Sequence, residues 1–495
     1  MHEEVATRTE FEAVIGLEVH VQLLTQSKMF CGCENRYGGL PNSRTCPVCL
    51  GLPGALPALN GEAVRMAIAL GLALKASIRE ESTFYRKQYF YPDLPKGYQI
   101  TQGPVALVEE GWLEIPGDAT VRGREGSLRV RIERAHLEED AGKSSHDLDP
   151  DHSLVDLNRA GVPLLEIVGG PDLRSPQEAS DYLKAIHHLV MYLGICDGNM
   201  DEGSLRCDAN ISVRRRGETK LGTRVEVKNL NSFRFLRQAL EFEIDRQIEL
   251  VESGQPFSQE TRGWDAQAGV TRSQRSKEAA MDYRHFPEPD LPVLCVSPEE
   301  VAGVCAHLPE LPSDRKARFQ ETFGLTEYEA DMLVQTPMHA EYFESVATLS
   351  GNGKQAANWM LGEVSRSLNE TGHNLETLGL PSAQLADLIK LVATGTINLN
   401  TAKEIVFPGM LAGEGNPADI VATKSLGQVS DHNFVTSLVR DILTANPQQL
   451  AQYKAGKVNL RGFFVGQAMK AGQGRINPQV LNQAVDEALA SEEAP

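Results

Sequence analysis

The stretch VIGLEVHVQLL, residues 14–24, alternates between apolar and polar side chains. Leu17 and Val19 fall on one face of an extended chain, whereas Glu18 and His20 fall on the other. A period of two is typical of a β-strand with one face packed on a core and the other face polar. The stretch therefore predicts a half-buried strand of an antiparallel sheet.

The same alternation recurs along the first 292 residues, together with helical windows. Three further stretches alternate and predict strands, at residues 128–132, 205–213 and 224–228. Helical windows lie at about 61–76, 176–193 and 231–252, and the second of them begins with Ser-Pro, a typical helix start. Strands and helices mixed in this way predict an α+β fold with a largely antiparallel sheet.

Two proline- and glycine-rich runs divide the chain. FPEPDLPVLCVSP, residues 286–298, separates the strand-rich part from a mostly helical part, and FPGMLAGEGNP, residues 407–417, interrupts the helical part. We predict a first domain at 1–292, an all-helical domain at 293–408 and a small helical tail domain at 409–495.

Composition excludes several classes of protein. The 495 residues include 67 acidic and 48 basic side chains, a net charge of −19, which argues against a general nucleic-acid coat or a basic membrane-surface protein. The longest apolar stretch, residues 66–74, is far shorter than the about 20 residues that a bilayer requires. The acidic N-terminus has no apolar core of the kind a signal peptide needs. We therefore expect a cytoplasmic protein with reduced thiols and no membrane association.

Eight cysteines in a reducing compartment need an explanation other than disulfides. Two close pairs, Cys31 with Cys33 and Cys46 with Cys49, are spaced like the two halves of a four-thiolate structural zinc site. The alternative is a group of free buried thiols. The remaining four are each predicted to be small buried apolar residues: Cys196, Cys207, Cys295 and Cys305.

Acidic residues collect on the polar faces of the predicted strands. Glu18 and His20 share one face, three acids follow another strand, and two more strands carry one carboxylate each; the acids are Glu138, Glu139, Asp140, Asp208 and Glu226. If these strands are neighbours, the carboxylates and the imidazole form one floor that requires a cation such as Mg²⁺ or Mn²⁺. Mg²⁺ is the usual bridge to the phosphates of ATP. A solvated sheet face is the alternative, and spacing alone does not decide between them.

Two loops require separate interpretations. Ala141-Gly142-Lys143-Ser144 resembles the end of a phosphate-binding loop, but Leu137 stands where the motif requires glycine, so we reject that interpretation. Residues 85–102 mix five Tyr or Phe residues with Arg86, Lys87 and Lys96. This loop could bind nucleic acid by stacking and charge, or it could pack its aromatic rings around a proline turn.

The tail is locally basic. Residues 442–485 contain no acidic residue and five basic ones, Lys454, Lys457, Arg461, Lys470 and Arg475. A basic window in an acidic chain is what binding to a phosphate backbone needs. A solvated helix face is the alternative interpretation.

Several motifs together resemble one family. FEAVIGLEVHVQL, YFYPDLPKGYQITQ, HLEEDAGKSSH, VDLNRAGVPLLEIV, MDEGSLRCDANISVR, EVKNLNSFR, ETRGWD and DYRHFPEPDLP occur in the order found in the B-type subunits of the aspartyl/glutamyl-tRNA amidotransferases. The resemblance extends through PELPSDRKARF to GFFVGQAMKAGQGRINPQ in the tail and covers nearly the whole chain.

The resemblance implies a fold, a reaction and partners. It implies a glutamine-synthetase-like cradle followed by a helical domain and a tail domain that holds tRNA. It also implies that ATP and Mg²⁺ activate the side-chain carboxylate of a misacylated tRNA, and that ammonia then displaces the phosphate. The product would be Gln-tRNA(Gln) or Asn-tRNA(Asn). Two further proteins would be partners in a heterotrimer: an amidase (glutaminase) that releases the ammonia, and a small third protein.

The family's magnesium ligands map onto Glu18, His20, Glu138, Glu139, Asp208 and Glu226. We add Lys143 and Arg206 as candidates that stabilise phosphate charge, and place Lys87 and Lys96 near the point where ammonia arrives. The zinc site rests on the cysteines themselves, because only some members of the family have it. The competing hypothesis is a zinc-containing protein that binds tRNA without catalysis.

Overall fold

The computed structural model describes residues 10–145, 149, 151–276, 284–428, 432–472 and 476–493. These residues divide into two compact units, with the division after Pro312. The finer boundaries expected at residues 292 and 408 stay predictions.

The strands of the first unit are numbered in chain order. They are β1 (Phe11–Gln22), β2 (Ser77–Ile78), β3 (Glu81–Ser82), β4 (Phe84–Gln88), β5 (Tyr98–Gln102), β6 (Val108–Pro116), β7 (Ser127–Glu139), β8 (Lys143–Ser145), β9 (Leu154–Asp156), β10 (Pro163–Gly169), β11 (Leu205–Arg215), β12 (Val225–Lys228), β13 (Glu260–Asp265), β14 (Val270–Ser276), β15 (Phe286–Pro287) and β16 (Leu294–Cys295).

Twelve of these strands form one sheet. Its main path runs β14-β13-β12-β11-β1-β10-β7-β5-β4-β15, while β6 pairs with β7 and β2. The pair β12–β13 is parallel, and the other pairs of the sheet are antiparallel. The predicted α+β class with a largely antiparallel sheet is confirmed. The four alternating stretches lie in β1, β7, β11 and β12.

The helices of the first unit are α1 (Gly61–Ala73), α2 (Ala119–Arg122), α3 (Pro176–Tyr192), α4 (Phe233–Glu252) and α5 (Pro298–Cys305). Three of them, α1, α3 and α4, pack on the sheet, and α5 contacts α1. The Ser175 hydroxyl accepts a hydrogen bond from the backbone of Glu178 and caps α3, and Pro176 follows at its first position, as predicted. Leu17 and Val19 of β1 belong to the same buried core as Ile68 of α1 and Leu183 of α3. This packing leaves the opposite, polar face of the central strands for the candidate site.

The regular elements of the second unit are helices, as predicted. They are α6 (Pro312–Phe323), α7 (Glu327–Leu333), α8 (Pro337–Ser350), α9 (Gly353–Trp359), a π-helical turn π1 (Met360–Val364), α10 (Ser365–Thr371), α11 (Ser382–Ala393), α12 (Leu399–Thr401), a second π-helical turn π2 (Ala402–Val406), α13 (Phe407–Leu411), α14 (Pro417–Thr423), α15 (His432–Ala445), α16 (Pro447–Lys454), α17 (Leu460–Ala471) and α18 (Pro478–Glu493). The last four share a separate apolar core built around Phe464, Val439 and Leu481. Within the described part of the chain, no helix has the length and apolarity needed to cross a bilayer.

Candidate active site

The polar face of the sheet forms a continuous floor across five neighbouring strands, in the order β12, β11, β1, β10 and β7. Glu18 of β1 lies opposite Asp208 of β11 in register. On its other side β1 places His20 opposite Glu166 of β10. These strands, whose adjacency the sequence does not reveal, are therefore neighbours, and Glu18, Glu138, Asp208 and Glu226 face one surface.

Three side chains on this floor group their ligand atoms around one point. An imidazole nitrogen of His20 and a carboxylate oxygen each of Glu138 and Glu166 all lie within 4.8 Å of one another. His20 Nε2 is 3.3 Å from Glu166 Oε2. The Glu138 carboxylate also accepts a hydrogen bond of 3.2 Å from the Thr101 hydroxyl, which orients it. One imidazole and two carboxylates can hold a hard divalent cation such as Mg²⁺ or Mn²⁺.

Sequence reasoning missed Glu166. Strand β10 reads PLLEIVG, and every residue in it except Glu166 is buried, so no alternation marks a polar face. The available signal was the single carboxylate inside an otherwise apolar run. A carboxylate held among buried residues needs a counter-charge or a cation, which makes such a position a candidate ligand.

The electrostatics of this group favour an ionised Glu166 next to a cationic partner. Burial acts to raise the pKa of Glu166, but the hydrogen bond with His20 and the positive potential of His136, His20 and Lys87 lower it well below the ordinary value. Burial acts to lower the pKa of His20, yet Glu166 and Glu138 raise it. Burial and then repulsion from Glu166 raise the pKa of Glu18. Glu166 therefore depends on positive charge from His20 and its neighbours, a role that a bound cation would also fill.

Two of the predicted magnesium ligands already have a cationic partner. Lys228 Nζ lies 2.6 Å from Asp208 Oδ2 and 3.1 Å from Glu226 Oε1. Burial acts to lower the pKa of Lys228, but these two carboxylates raise it. Thr261 donates a further hydrogen bond to Glu226. A metal ion bound by Asp208 and Glu226 would have to displace the ammonium of Lys228.

Glu139 lies apart from the group around His20. Its carboxylate forms a buried ion pair with Lys96 and accepts a hydrogen bond of 3.0 Å from the backbone of Ile100. Glu139, predicted as a metal ligand, and Lys96, predicted for the ammonia region, thus form an ion pair with each other. The pair lies at the hairpin of β4 and β5, next to the strand end that carries Glu138.

The two residues proposed to stabilise phosphate charge lie in different surroundings. Arg206 Nη2 is 2.6 Å from Asp140 Oδ2, and the pKa of Arg206 is raised because Asp140 outweighs the effect of burial. Arg206 is therefore already paired on the floor. Lys143 is exposed on β8, outside the five floor strands. The backbone N–H of Gly142 donates to the carbonyl of Asp93, which agrees with the rejection of a phosphate-binding loop here.

The four paired cysteines converge on one site. The sulfur atoms of Cys31, Cys33, Cys46 and Cys49 lie within 4.8 Å of one another, and the last two are 3.9 Å apart. Around a tetrahedral zinc ion with bonds of about 2.3 Å, sulfur atoms are separated by roughly 3.8 Å. A hydrogen bond from the Cys31 thiol lowers the pKa of Cys49 to about 5, which favours its thiolate. The donor set and its spacing fit a structural zinc ion.

The prediction for the other four cysteines is half right. All eight cysteines are free thiols. Cys196 and Cys207 are buried, as predicted, but Cys295 and Cys305 are exposed, so the prediction of burial is wrong for them. Cys295 lies on the short strand β16, and α5, which contains Cys305, has no buried residue.

The aromatic loop at residues 85–102 has both packed and exposed rings, so it combines features of the packing interpretation and of the nucleic-acid-binding interpretation. The Tyr98 ring packs against the guanidinium of Arg86. Phe90 and Tyr91, at the hairpin tip, are 83% and 55% exposed. Burial acts to raise the pKa of Glu166, and Lys87 of β4 helps His20 and His136 to lower it.

Four of the five basic tail residues lie on helices α16 and α17 and in the turn between them. Lys454, Lys457 and Lys470 are exposed. Arg461 forms a bidentate ion pair with Asp486 of α18, at 2.6 and 2.9 Å, so part of its charge is compensated within the fold. Arg475 lies outside the described residues.

Comparisons with known proteins cover nearly the whole chain. The family model described as the GatB/GatE catalytic domain matches residues 13–302, and the model of a GatB domain matches residues 341–489. The chain is 48% identical over 476 residues to the B-type subunit of the aspartyl/glutamyl-tRNA(Asn/Gln) amidotransferase from Thermodesulfovibrio yellowstonii, which covers 96% of this chain and 98% of the relative. It is 51% identical to the protein of the same name from Myxococcus xanthus, over 97% of this chain and 99% of the relative. The Geobacter sulfurreducens protein of that name is 50% identical over 96% and 98%.

Proposed function

The chain belongs to the family of the GatB/GatE catalytic domain, and we propose from this membership that it is the B-type subunit of a tRNA-dependent amidotransferase. Such an enzyme is a ligase that forms a C–N bond with glutamine as the amide donor. The substrates would be Glu-tRNA(Gln), Asp-tRNA(Asn) or both. The expected location is the cytoplasm, where protein synthesis uses the products.

The proposed reaction has two steps. A carboxylate oxygen of the glutamyl or aspartyl group attacks the γ-phosphorus of ATP, and ADP leaves. Ammonia then attacks the carbonyl carbon of the acyl phosphate, the carbon–oxygen bond to phosphate breaks, and the nitrogen loses a proton. Phosphorylation is needed because an unactivated carboxylate would have to expel oxide. This chemistry requires positioning and charge stabilisation rather than a protein nucleophile.

The group formed by His20, Glu138 and Glu166 is the observation that carries the proposal. These residues would hold Mg²⁺, and Glu18 lies next to them on the same strand as His20. When bound, the ion would reduce the repulsion between the phosphates and the attacking carboxylate. Asp208 and Glu226, held by Lys228, would form the adjoining part of the floor rather than the primary ligand set.

The remaining candidates receive more limited roles. Arg206, through its ion pair with Asp140, would position the end of β7. The buried pair of Lys96 and Glu139 and the nearby Lys87 would lie where ammonia reaches the floor. Lys143, at the surface, would at most attract anionic substrate. The four cysteines would hold a structural zinc ion.

The nucleotide would lie beside Glu18. A cavity of about 220 Å³ opens there, and its lining includes Arg224 and Asn210 together with the carboxylates Glu18 and Glu133. Among the described residues, no carboxylate forms an ion pair with Arg224, so its guanidinium can contact phosphate. Asn210 donates to Glu18 Oε1 at 2.8 Å and connects the cavity to the His20 group.

The proposed partners follow from the resemblance to the amidotransferase and from the names of the relatives, which describe one subunit of a larger enzyme. The chain would act in a heterotrimer with a glutaminase subunit and a small third subunit, and misacylated tRNA would be the macromolecular substrate. Exposed Lys454, Lys457 and Lys470 supply positive charge for the tRNA backbone, with Arg461 and Arg475 as further candidates.

The decisive experiment measures ATP cleavage that depends on Glu-tRNA(Gln). The heterotrimer is assayed with ATP, Mg²⁺ and ammonium salt, with and without the misacylated tRNA. We expect tRNA-dependent ADP formation in the unmodified complex and at least a hundred-fold loss in the Glu166→Gln variant. Binding of Mn²⁺ by the isolated chain, followed by electron paramagnetic resonance, should weaken in the same variant.

Glu109→Gln is the matched control, because Glu109 is a paired carboxylate of β6, a strand outside the floor. It should retain activity and Mn²⁺ binding. An active Glu166→Gln variant would remove Glu166 from the ligand set. If the unmodified complex binds tRNA without tRNA-dependent ATP cleavage, the chain is the non-catalytic, zinc-containing tRNA-binding protein instead.

A further inference from the structure

Lys28 is the most deeply buried basic side chain near the four-cysteine site. Its exposed fraction is 0%, and it follows β1 in the segment that leads to Cys31. Its ammonium donates to the backbone carbonyl of Arg44 at 2.8 Å and to that of Leu157 at 3.4 Å. A buried ammonium that meets only neutral carbonyls is costly, so an anion is expected nearby.

The anion that the structure offers is a thiolate. Lys28 Nζ lies 3.9 Å from Cys49 Sγ, within reach of a long N–H···S hydrogen bond. Among the described residues, no Asp or Glu side chain forms an ion pair with Lys28. Four thiolates and one zinc ion carry a net charge of −2, and the ammonium reduces this to −1. The positive charge of Lys28 is therefore destabilising when it has no anionic partner, but it is stabilising next to a four-thiolate site that holds zinc.

Lys28 also connects the cysteines to the back of the carboxylate floor. Its hydrogen bond to Leu157 reaches the segment 157–161, and the backbone N–H of Met29 donates to the carbonyl of Gly161 at 2.8 Å. Gly161 lies between Cys49 and Glu139, the last residue of β7. A methyl group on its Cα would lie 3.4 Å from Cys49 Cβ, 3.5 Å from Lys28 Cδ and 3.8 Å from Glu139 Oε2.

The loop of the cysteine site is fastened to the same segment by polar side chains. The backbone N–H of Arg44 donates to the Asn158 side chain at 2.8 Å, and the backbone N–H of Leu157 donates to Asn42 at 2.8 Å. Asp156 accepts from the backbone of Asn42 at 3.0 Å. These contacts hold the loop in place but supply no positive charge to the sulfur atoms. Among these contacts, only that of Lys28 brings positive charge to the sulfur atoms.

We propose that Lys28 is a positioning residue of the four-cysteine metal site, which compensates thiolate charge and ties the site to segment 157–161 behind Glu139. The proposal rests on the zinc site proposed above. It assigns to this lysine a role in metal affinity rather than in phosphoryl or ammonia transfer.

The test measures zinc affinity in the full-length chain by competition with a chromophoric chelator. Lys28→Met keeps the approximate volume of the side chain and removes its charge, and we expect zinc to bind 10- to 100-fold more weakly, as for other residues that support metal ligands. Lys28→Gln can still donate to a carbonyl but lacks the charge, so it should weaken binding as well. Lys220→Met, at an exposed position, is the control and should bind zinc like the unmodified chain.

Cobalt substitution tests the four-cysteine metal site separately from the role of Lys28. The unmodified chain loaded with Co²⁺ should show the intense charge-transfer bands of a tetrahedral thiolate site. Their absence would refute the metal site, and Lys28 with it, without affecting the group around His20. A folded Lys28→Met variant with unchanged zinc affinity would overturn the role of Lys28 while the metal site stands. Circular dichroism establishes folding, and if Lys28→Met fails to fold, the affinity of Lys28→Gln decides.

Discussion

The buried charges of the floor differ in how they are compensated. Asp140 has Arg206, Glu139 has Lys96, and Asp208 shares Lys228 with Glu226. The Glu18 carboxylate, by contrast, has the neutral amide of Asn210 as its hydrogen-bond donor. The floor therefore has a part balanced by arginine and lysine, and a part around His20, Glu138 and Glu166 whose counter-charge comes from histidines and Lys87. The proposed divalent cation would bind at the second part.

One residue-scale prediction concerns acid stability in the second unit. The hydrogen bond from Lys354, at 2.6 Å, together with the backbone of Thr326, lowers the pKa of Glu329 to about 2. Because the folded-state pKa lies below the ordinary value of 4.5, the stabilisation is complete above pH 4.5 and disappears as the pH falls towards 2. The pair is solvated, so its contribution should be below about 1 kcal/mol.

Urea unfolding at pH 3.5 and pH 7 checks this prediction. Glu329→Gln should lower the free energy of unfolding at pH 7 and have a smaller effect at pH 3.5. Glu321→Gln, an exposed carboxylate on the neighbouring helix α6, is the control. Equal losses for Glu329→Gln at both pH values would show that the carboxylate charge contributes nothing.

Residues on alternating strands could be predicted as site candidates, whereas their partners could not. A period of two places Glu18, His20, Asp208 and Glu226 on polar faces from the sequence alone. The strand order, and hence the approach of Glu166 to His20 from β10, depends on long-range pairing that no local pattern encodes. The same limit applies to Lys96, whose position in a loop does not reveal the buried ion pair with Glu139.

At the scale of elements, a buried cluster of charged residues links α4 to β13 and β14 at the end of the sheet. Glu243 of α4 has no exposed surface and lies 2.6 Å from Arg246. It also accepts a hydrogen bond from Thr271 of β14 at 3.0 Å and lies 3.6 Å from Arg262 of β13. This cluster joins the helix to the two strands that follow it. It thereby supports β12, which pairs with β13 and carries Glu226 and Lys228.

The element-scale prediction is a large loss of stability in Glu243→Ala. Arg246 and Arg262 would lose the buried carboxylate of Glu243 and keep only Glu260, and a hydrogen bond to a charged group is typically worth about 1.5–3 kcal/mol. Glu241→Ala is the matched control on the same helix, because Glu241 is half exposed and makes only an i,i+4 pair with Arg237. The free energy of unfolding from urea titration measures both. Similar losses in the two variants would contradict a special role for the cluster.

The sequence predicts the elements around β12 but not the direction in which β12 pairs with β13. The short alternating stretch predicts a strand at β12, and the helical window at 231–252 corresponds to α4. The pairing is nevertheless parallel, because α4 carries the chain back to the same end of the sheet before β13 begins. A parallel pair requires such a crossover, and the order of elements along the chain does not by itself distinguish it from an antiparallel return.

At the scale of the whole molecule, the net charge of −19 conceals an uneven distribution. Part of the acid belongs to the carboxylate floor, and part is distributed over the rest of the chain. Residues 442–485 instead carry five basic and no acidic side chains. An overall acidic balance thus excludes a non-specific nucleic-acid coat but permits one localised contact with tRNA.

Reversing charge in the tail should weaken tRNA binding and reduce its dependence on salt. Lys457 and Lys470 are exposed, whereas Arg461 is engaged with Asp486, so the first two are the better test of a phosphate contact. Each phosphate contact that is lost should lower the slope of log affinity against log salt by about one unit, because fewer counterions are released. Filter binding of tRNA to the assembled complex at several salt concentrations measures that slope for Lys457→Glu combined with Lys470→Glu. Lys220→Glu, an exposed reversal in the first unit, controls for net charge. If both proteins show the same reduced affinity and slope, the effect is one of total charge, and the tail is not the tRNA contact.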